Sequence, residues 1–263
     1  MDLGLKGKSV IVMAASKGLG KATALQFAHE GAHVVVSSRN EEDLIATVAE
    51  IKESTANNNV FYKTCDVTNP DEIKELVQFA AELNGTVDVL VNNAGGPPAG
   101  GFANFEDDAW QNAFELNLLS FVRAIREVLP YMKEQQSGRI INFTSSSIKQ
   151  SIDNLILSNT FRAGVVGLAK SLSQELARDN ILINTIGPGR IATERVEHLD
   201  KIRAEKLGLS YKEIVSSTEK SIPMGRYGLP EEFAKQAVFL CSAANTYTTG
   251  QTLLVDGGLV KAL

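Results

Sequence analysis

Two places in this 263-residue chain combine residue types that could do chemistry. In the first, the apolar run 9–14 leads into Ala15-Ser16-Lys17-Gly18-Leu19-Gly20, so Gly18 and Gly20 open a helical pattern straight after a strand pattern. Such a turn lets backbone N–H groups approach a pyrophosphate at the positive end of a helix. Lys17 stands in that turn, and Ser38-Arg39 ends the next apolar run with no acid in place. An acid there favours the free ribose hydroxyl of NAD, whereas arginine accommodates a 2′-phosphate, so the pattern points to NADP(H) over NAD(H). Either cation alone also reads as ordinary solvated surface charge. In the second place, Ser158 and Arg162 are four residues apart. On a helix that spacing lets them face one pocket. A guanidinium binds carboxylate or phosphate bidentately but does not shuttle a proton, because its pKa exceeds about 12.

The elements that must position these residues alternate along the chain. Short apolar runs at 9–14, 33–38, 60–65, 87–92, 139–144, 181–186 and 253–256 read as strands. Segments of helical period lie between them at 19–30, 41–54, 70–83, 105–135, 158–178 and 230–243. The strands are near-continuously apolar, as expected when helices cover both sheet faces. This order predicts one α/β domain over 1–263, a Rossmann-type doubly wound parallel sheet of about seven strands. Right-handed crossovers then bring all strand carboxyl ends, and the ligand, to one side. The polar, helical stretch 192–227 breaks the alternation after a strand end. It reads equally as a lid or as a solvated surface insertion.

Two further motifs fall at the carboxyl ends of the third and fourth strand patterns: Asp66-Val67 and Asn92-Asn93-Ala94-Gly95. With the glycine turn, this joint placement predicts dinucleotide binding. The run from Asn142 to Leu172 resembles the catalytic segment of the short-chain dehydrogenase/reductase family, in which a Ser precedes by thirteen residues the Tyr of Tyr-x-x-x-Lys. Ser145 fills the first position, while Ser158 and Arg162 stand where the family has Tyr and Lys. Segments 222–233 and 250–258 are further hallmarks, so the resemblance extends from Leu5 to Gly258 and is similar to the 3-oxoacyl-thioester reductase-like members. It implies that Ser145 polarises a carbonyl and that Asn117 completes a water relay. By the same resemblance Ser16 to Gly20, Asp66, Val67, Asn93, Ala94, Gly95, Arg162, Pro188, Gly189, Ile191 and Thr193 meet the cofactor. It further implies assembly as a homotetramer or homodimer, to which the 158–178 helix is suited. Where the family has Thr-Gly before the turn, this chain has Met13-Ala14. Alanine does not adopt positive φ cheaply, so the turn has either negative φ or an altered shape.

Composition narrows the remaining choices. A net charge of -5 with 44% hydrophobic residues suits a soluble globular protein and disfavours a nucleic-acid partner. No window approaches the roughly 20 apolar residues of a membrane span, and no targeting segment is evident, so cytoplasmic location is expected. Cys65 and Cys241 lie in apolar runs with no metal-ligand spacing and read as buried thiols. No metal is expected. Lys149 is a second possible acid, although a solvated loop lysine is the commoner case. Of His29, His33 and His198, only the last lies where a substrate contact is conceivable, and none supports a serine-hydrolase reading of Ser158. Two functions follow: an NADP(H)-dependent oxidoreductase acting on a carbonyl or alcohol through an atypical Ser/Arg centre, or a catalytically silent NADP(H)-binding sensor or partner protein. A cofactor-free assembly subunit would leave Lys17, Arg39 and the Asn-Asn-Ala-Gly motif unexplained.

Overall fold

In a computed structural model, which describes residues 2–262, seven parallel strands form one sheet. They are β1 (Ser9–Val12), β2 (His33–Ser38), β3 (Val60–Thr64), β4 (Val89–Asn92), β5 (Gly138–Phe143), β6 (Ile181–Pro188) and β7 (Thr252–Val255). Their order in space is β3-β2-β1-β4-β5-β6-β7. The order reverses between β1 and β4, and ligands of such sheets bind in the crevice outside the strand ends at that switch point.

The strands' side chains alternate between two cores. Val10 and Val12 of β1 enter one, with Phe27, Leu44 and Phe233, while Ile11 and the following Met13 enter the other, with Ile73, Phe121 and Val165. Helices α1 (Gly18–His29), α2 (Glu41–Thr55) and α9 (Pro230–Leu240) cover the first face. Helices α3 (Pro70–Asn84), α5 (Ser120–Glu134) and α6 (Ile156–Leu176) cover the second. Phe143 and Phe233 meet edge to face at 4.8 Å and are almost fully buried. Burying one such side chain is worth roughly 1.5–3 kcal/mol. Helix starts follow local chemistry: Asn69 caps α3 by accepting the Asp71 N–H, and Pro70 fills its first position.

Three local departures from the sequence expectation matter, and one expected helical stretch gains detail. β1 ends at Val12, because Ala14 turns out of the strand with φ +46°. β6 runs on to Pro188, two residues beyond the expected end. The expected helix 105–135 is α4 (Asp107–Phe114) and α5 joined by a π-helical turn, Glu115–Leu119, which carries Asn117. Such turns re-aim side chains and recur at functional sites. The stretch 192–227 holds two helices, α7 (Glu194–Leu207) and α8 (Tyr211–Ser221). It leaves and rejoins the body at one point, where the Ala192 N–H donates to the Gly228 carbonyl (2.8 Å) and the Gly228 N–H to that of Arg190 (2.9 Å).

Candidate active site

The crevice is lined on one side by the turn from β1 into α1. Gly18 has φ +57°, which L side chains rarely adopt, and Gly20 is packed too tightly for any side chain. A Cβ on Gly20 would lie 2.5 Å from the Ala14 carbonyl oxygen and 2.9 Å from Asn93 Nδ2. The Asn93 amide donates to that same Ala14 oxygen at 3.0 Å, so its side chain fastens the turn to the end of β4 rather than reaching into the crevice. Behind the turn, Thr47 of α2 donates to the Ser16 carbonyl at 2.9 Å. Negative φ, the first of the two expectations for Ala14, does not hold: the residue is left-handed, with φ +46°. That conformation costs an L-residue about 1–2 kcal/mol.

Charged groups around the turn are arranged unevenly. Arg39 is exposed and joins no ion pair among the described residues. Lys17 is already engaged with Asp43 at 3.1 Å, in an exposed pair worth about 0–1 kcal/mol and easily exchanged. Asp66 accepts from the Thr68 N–H (2.9 Å) and hydroxyl (2.8 Å). Burial raises its pKa, but those two bonds and the nearby Arg39 charge outweigh it and hold the carboxyl below its ordinary value. Val67 points into the core, so only its backbone can face a ligand. Leu19 packs against the first core, and Ser38 donates to the Asn40 carbonyl at 3.3 Å.

Across the crevice, the Asn-Asn-Ala-Gly segment is tied down a second time. From the π-turn, the Asn117 amide donates to the Gly95 carbonyl at 2.7 Å, with Ala94 buried between the two ties. Asn117 is 1% exposed, and its Oδ1 has no partner. Ser145 follows β5 and accepts the Ser147 N–H at 3.1 Å, which leaves its hydroxyl proton free to point outward. Ser158 and Arg162 do share a pocket. The Arg162 Nε–H donates to Ser158 Oγ (3.2 Å), and Nη1 donates to the Phe143 carbonyl at the end of β5 (3.1 Å). Arg162 is 8% exposed and has no carboxylate partner among the described residues. Burial and the nearby Arg195 charge push its pKa down to about 10, so it stays a cation at neutral pH.

The third wall follows β6. Gly189 packs on Asp256, where a Cβ would come within 2.5 Å, and Ile191 is buried beneath Gly228. Thr193 caps α7 by accepting the Val196 N–H at 3.3 Å, while its methyl group faces Gly18 across the crevice. Asp200 of α7, fully buried, is held by Arg190 (3.1 Å) and by the Tyr227 hydroxyl (2.7 Å). This anchor fixes α7 on the Pro188-Gly189 segment. Lys149 and His198 are exposed, as for solvated surface residues. Cys65 and Cys241 are buried, and burial pushes both thiols up, Cys65 to about 12. Among the described residues no His/Cys/Asp/Glu group could hold a metal ion, and no helix is long and apolar enough to cross a membrane.

Sequence reasoning missed Arg195. Its side chain leans on the loop after β4, with Nη2 3.4 Å from the Pro97 carbonyl and 3.4 Å from where a Gly96 Cβ would stand. Its only signal was a place two residues beyond Thr193. The Asp200–Tyr227 anchor was also missed, since nothing in the sequence pairs residues from opposite ends of the insertion.

A parallel sheet with a glycine turn at its switch point and a polar cluster beside it is the architecture of the doubly wound, Rossmann-type class. Residues 13–260 match a family model described as enoyl-(acyl carrier protein) reductase. The chain is 36% identical to a 3-oxoacyl-[acyl-carrier-protein] reductase of Thermotoga maritima over 258 residues, 97% of this chain and 99% of the relative. It is 34% identical to the 7alpha-hydroxysteroid dehydrogenase of Escherichia coli K12, over all of this chain and 98% of that one. L-sorbose reductase from Gluconobacter frateurii, solved with NADPH and L-sorbose, superposes with a TM-score of 0.94 at 33% identity, over the whole of both chains. The chain belongs to the short-chain dehydrogenase/reductase family.

Proposed function

We propose that the protein is an NADP(H)-dependent oxidoreductase that reduces a carbonyl, or oxidises the corresponding alcohol, through a Ser145/Ser158/Arg162 centre in place of a Tyr/Lys pair. The observation that carries this reading is the pocket of Arg162: a buried cation, without a counter-charge among the described residues, bonded to a serine that donates no hydrogen bond to any of them. A degenerate site would bury such a charge at a cost of several kcal/mol with nothing in return.

The residues present fit a dinucleotide. Gly18, with its left-handed φ, and the closely packed Gly20 shape the turn where a pyrophosphate would approach the start of α1. Arg39 would take the 2′-phosphate, Asp66 and the Val67 backbone the adenine end, and the segment from Pro188 to Thr193 the nicotinamide end. Structural relatives solved with NADPH support the choice of cofactor, including an actinorhodin polyketide ketoreductase at 35% identity and TM-score 0.91. When bound, the nicotinamide supplies or accepts the hydride. The protein's part is to orient and to stabilise charge. The Ser145 and Ser158 hydroxyls donate to the carbonyl oxygen, and Arg162 stabilises the oxyanion that develops there. Arg162 gives no proton; water ordered by the unpaired Asn117 Oδ1 supplies it. The absence of a positioned general acid costs about 10²–10⁴ in rate, which is offset in part by Arg162.

Helices α7 and α8 form a lid over this pocket, and copies of the chain associate through the outer faces of α5 and α6 as a tetramer or dimer. The double change Ser158→Tyr with Arg162→Lys tests whether the centre is specialised. Kinetics on the parent's substrate should show activity reduced in the double variant. A gain on that substrate would mean that the Ser/Arg pair is only a damaged Tyr/Lys pair. The silent NADP(H) sensor is the alternative, favoured by the joint loss of Tyr and Lys.

A further inference from the structure

Arg162 and Arg195 are anchored at or just past the carboxyl ends of neighbouring strands. Arg162 is fixed at the carboxyl end of β5 by the Phe143 carbonyl. Arg195, from the first turn of α7, lies against Gly96 and Pro97, just past the carboxyl end of β4. Asn92 of β4 pairs in register with Asn142 of β5, so one anchor point ends β5 and the other lies in the loop that follows the adjacent β4. The Arg195 charge is near enough to disfavour that of Arg162. Neither forms an ion pair with any carboxylate among the described residues.

A guanidinium has five N–H donors. Arg162 spends two of them, on Ser158 and Phe143, which leaves three. Arg195 has one long bond, to Pro97. Arg162 is buried and Arg195 exposed, so one fixed and one solvent-facing guanidinium, with most donors unused, offer a site for an anion. Protein carboxylates do not supply it: Glu197 is turned to Lys201, and Asp200 is enclosed by Arg190 and Tyr227.

We infer that the substrate carries an oxyanion group, a carboxylate or a phosphate, close to its reacting carbonyl, and that Arg162 and Arg195 hold that group between them. This rests on the reading of the pocket as a hydride-transfer site and names its substrate class. Arg195 would act as the selecting residue: carried on α7, it closes on the anion as the helix settles. Arg162, already buried, supplies the fixed half of the clamp.

The test uses the full-length protein loaded with NADP+ and two kinds of measurement. Calorimetric titration with malonate and with inorganic phosphate reads anion binding without turnover and separates the two anion sources. NADPH oxidation is then followed with matched pairs: 3-oxobutanoate against its methyl ester, and dihydroxyacetone phosphate against dihydroxyacetone. The parent should bind at least one anion and prefer the charged member of one pair. Arg195→Gln should weaken anion binding about tenfold and lower that preference similarly, the loss of one charge-assisted hydrogen bond, while the Kd for NADPH stays within about twofold. Arg195→Lys should be intermediate, because it keeps the charge and loses the fork.

Equal loss of NADPH affinity in Arg195→Gln would overturn the inference, placing Arg195 on the cofactor's own phosphates. Turnover of the neutral ketones with no anion binding would also overturn it and leave the hydride-transfer reading intact. Anion binding that depends on Arg195, with no turnover of any probe, would uphold the clamp and count against hydride transfer alone.

Discussion

The two sides of the crevice hold their key groups by different means, and they have tolerated change differently. On the β1–α1 side the working parts are backbone atoms, fixed by outside ties: Asn93 to Ala14 and Thr47 to Ser16. A side chain can change there if the backbone shape survives, and Ala14 shows this by taking a left-handed φ that suits glycine better. On the β5–α6 side the working parts are side-chain atoms. There a substitution leaves the helix and its register in place and changes the chemistry outright. Ser158 and Arg162 stand on one buried face of α6 with Val165 and Ala169, so their positions are as firmly set as any in the core.

The contrast breaks most sharply at Gly20. Gly20→Val would drive its Cβ into the Ala14 carbonyl, at 2.5 Å, and should cost about 3 kcal/mol, raising the Kd for NADPH more than about 100-fold. Fluorescence titration, with circular dichroism to check the fold, reads it. A near-parental Kd would mean that the turn does not serve the cofactor.

Arg39→Glu keeps the backbone and changes only charge. It should weaken NADPH binding roughly 30-fold through the lost charge-assisted bond, and NADH binding by less than about threefold. Equal loss for the two cofactors would remove the basis for preferring NADP(H). The smallest expected effect is at Ala14. Ala14→Gly relieves the left-handed strain while adding chain entropy to the unfolded state, for a net gain of about 0.5–1 kcal/mol. Thermal melting should rise by roughly 1–4 °C. A lower melting temperature would show that alanine's side chain, not its backbone, matters in the turn.

Much of this was legible in the sequence, for reasons that differ by region. Strands such as β2 and β4 announce themselves because a parallel sheet covered on both faces needs unbroken apolar runs. The glycine turn was legible because only glycine suits the close approach at position 20. Ser158 and Arg162 were placed together by helical spacing, and the structure joins them by a hydrogen bond. Three features were not legible. The π-turn at Asn117 leaves no compositional mark, since its residues are ordinary helix formers. Asn93 was read as a cofactor contact, yet its amide is spent on Ala14, a partnership set by strand order rather than by local sequence. Arg195 sat in a stretch rich in charge, where one more arginine looks like a solvated face until the fold brings it against Gly96.

The claim that most needs testing is that this centre transfers hydride without the tyrosine. NADPH carrying deuterium at both C4 positions, incubated with the purified protein and a small-molecule extract, puts the question to mass spectrometry. The account predicts a deuterated product that a protein-free control lacks and whose mass identifies the carbonyl reduced. Protein shown to bind NADPH that labels nothing, in extracts supplemented with the 3-oxobutanoate and dihydroxyacetone phosphate probes, would contradict it and leave an NADP(H)-binding protein without turnover.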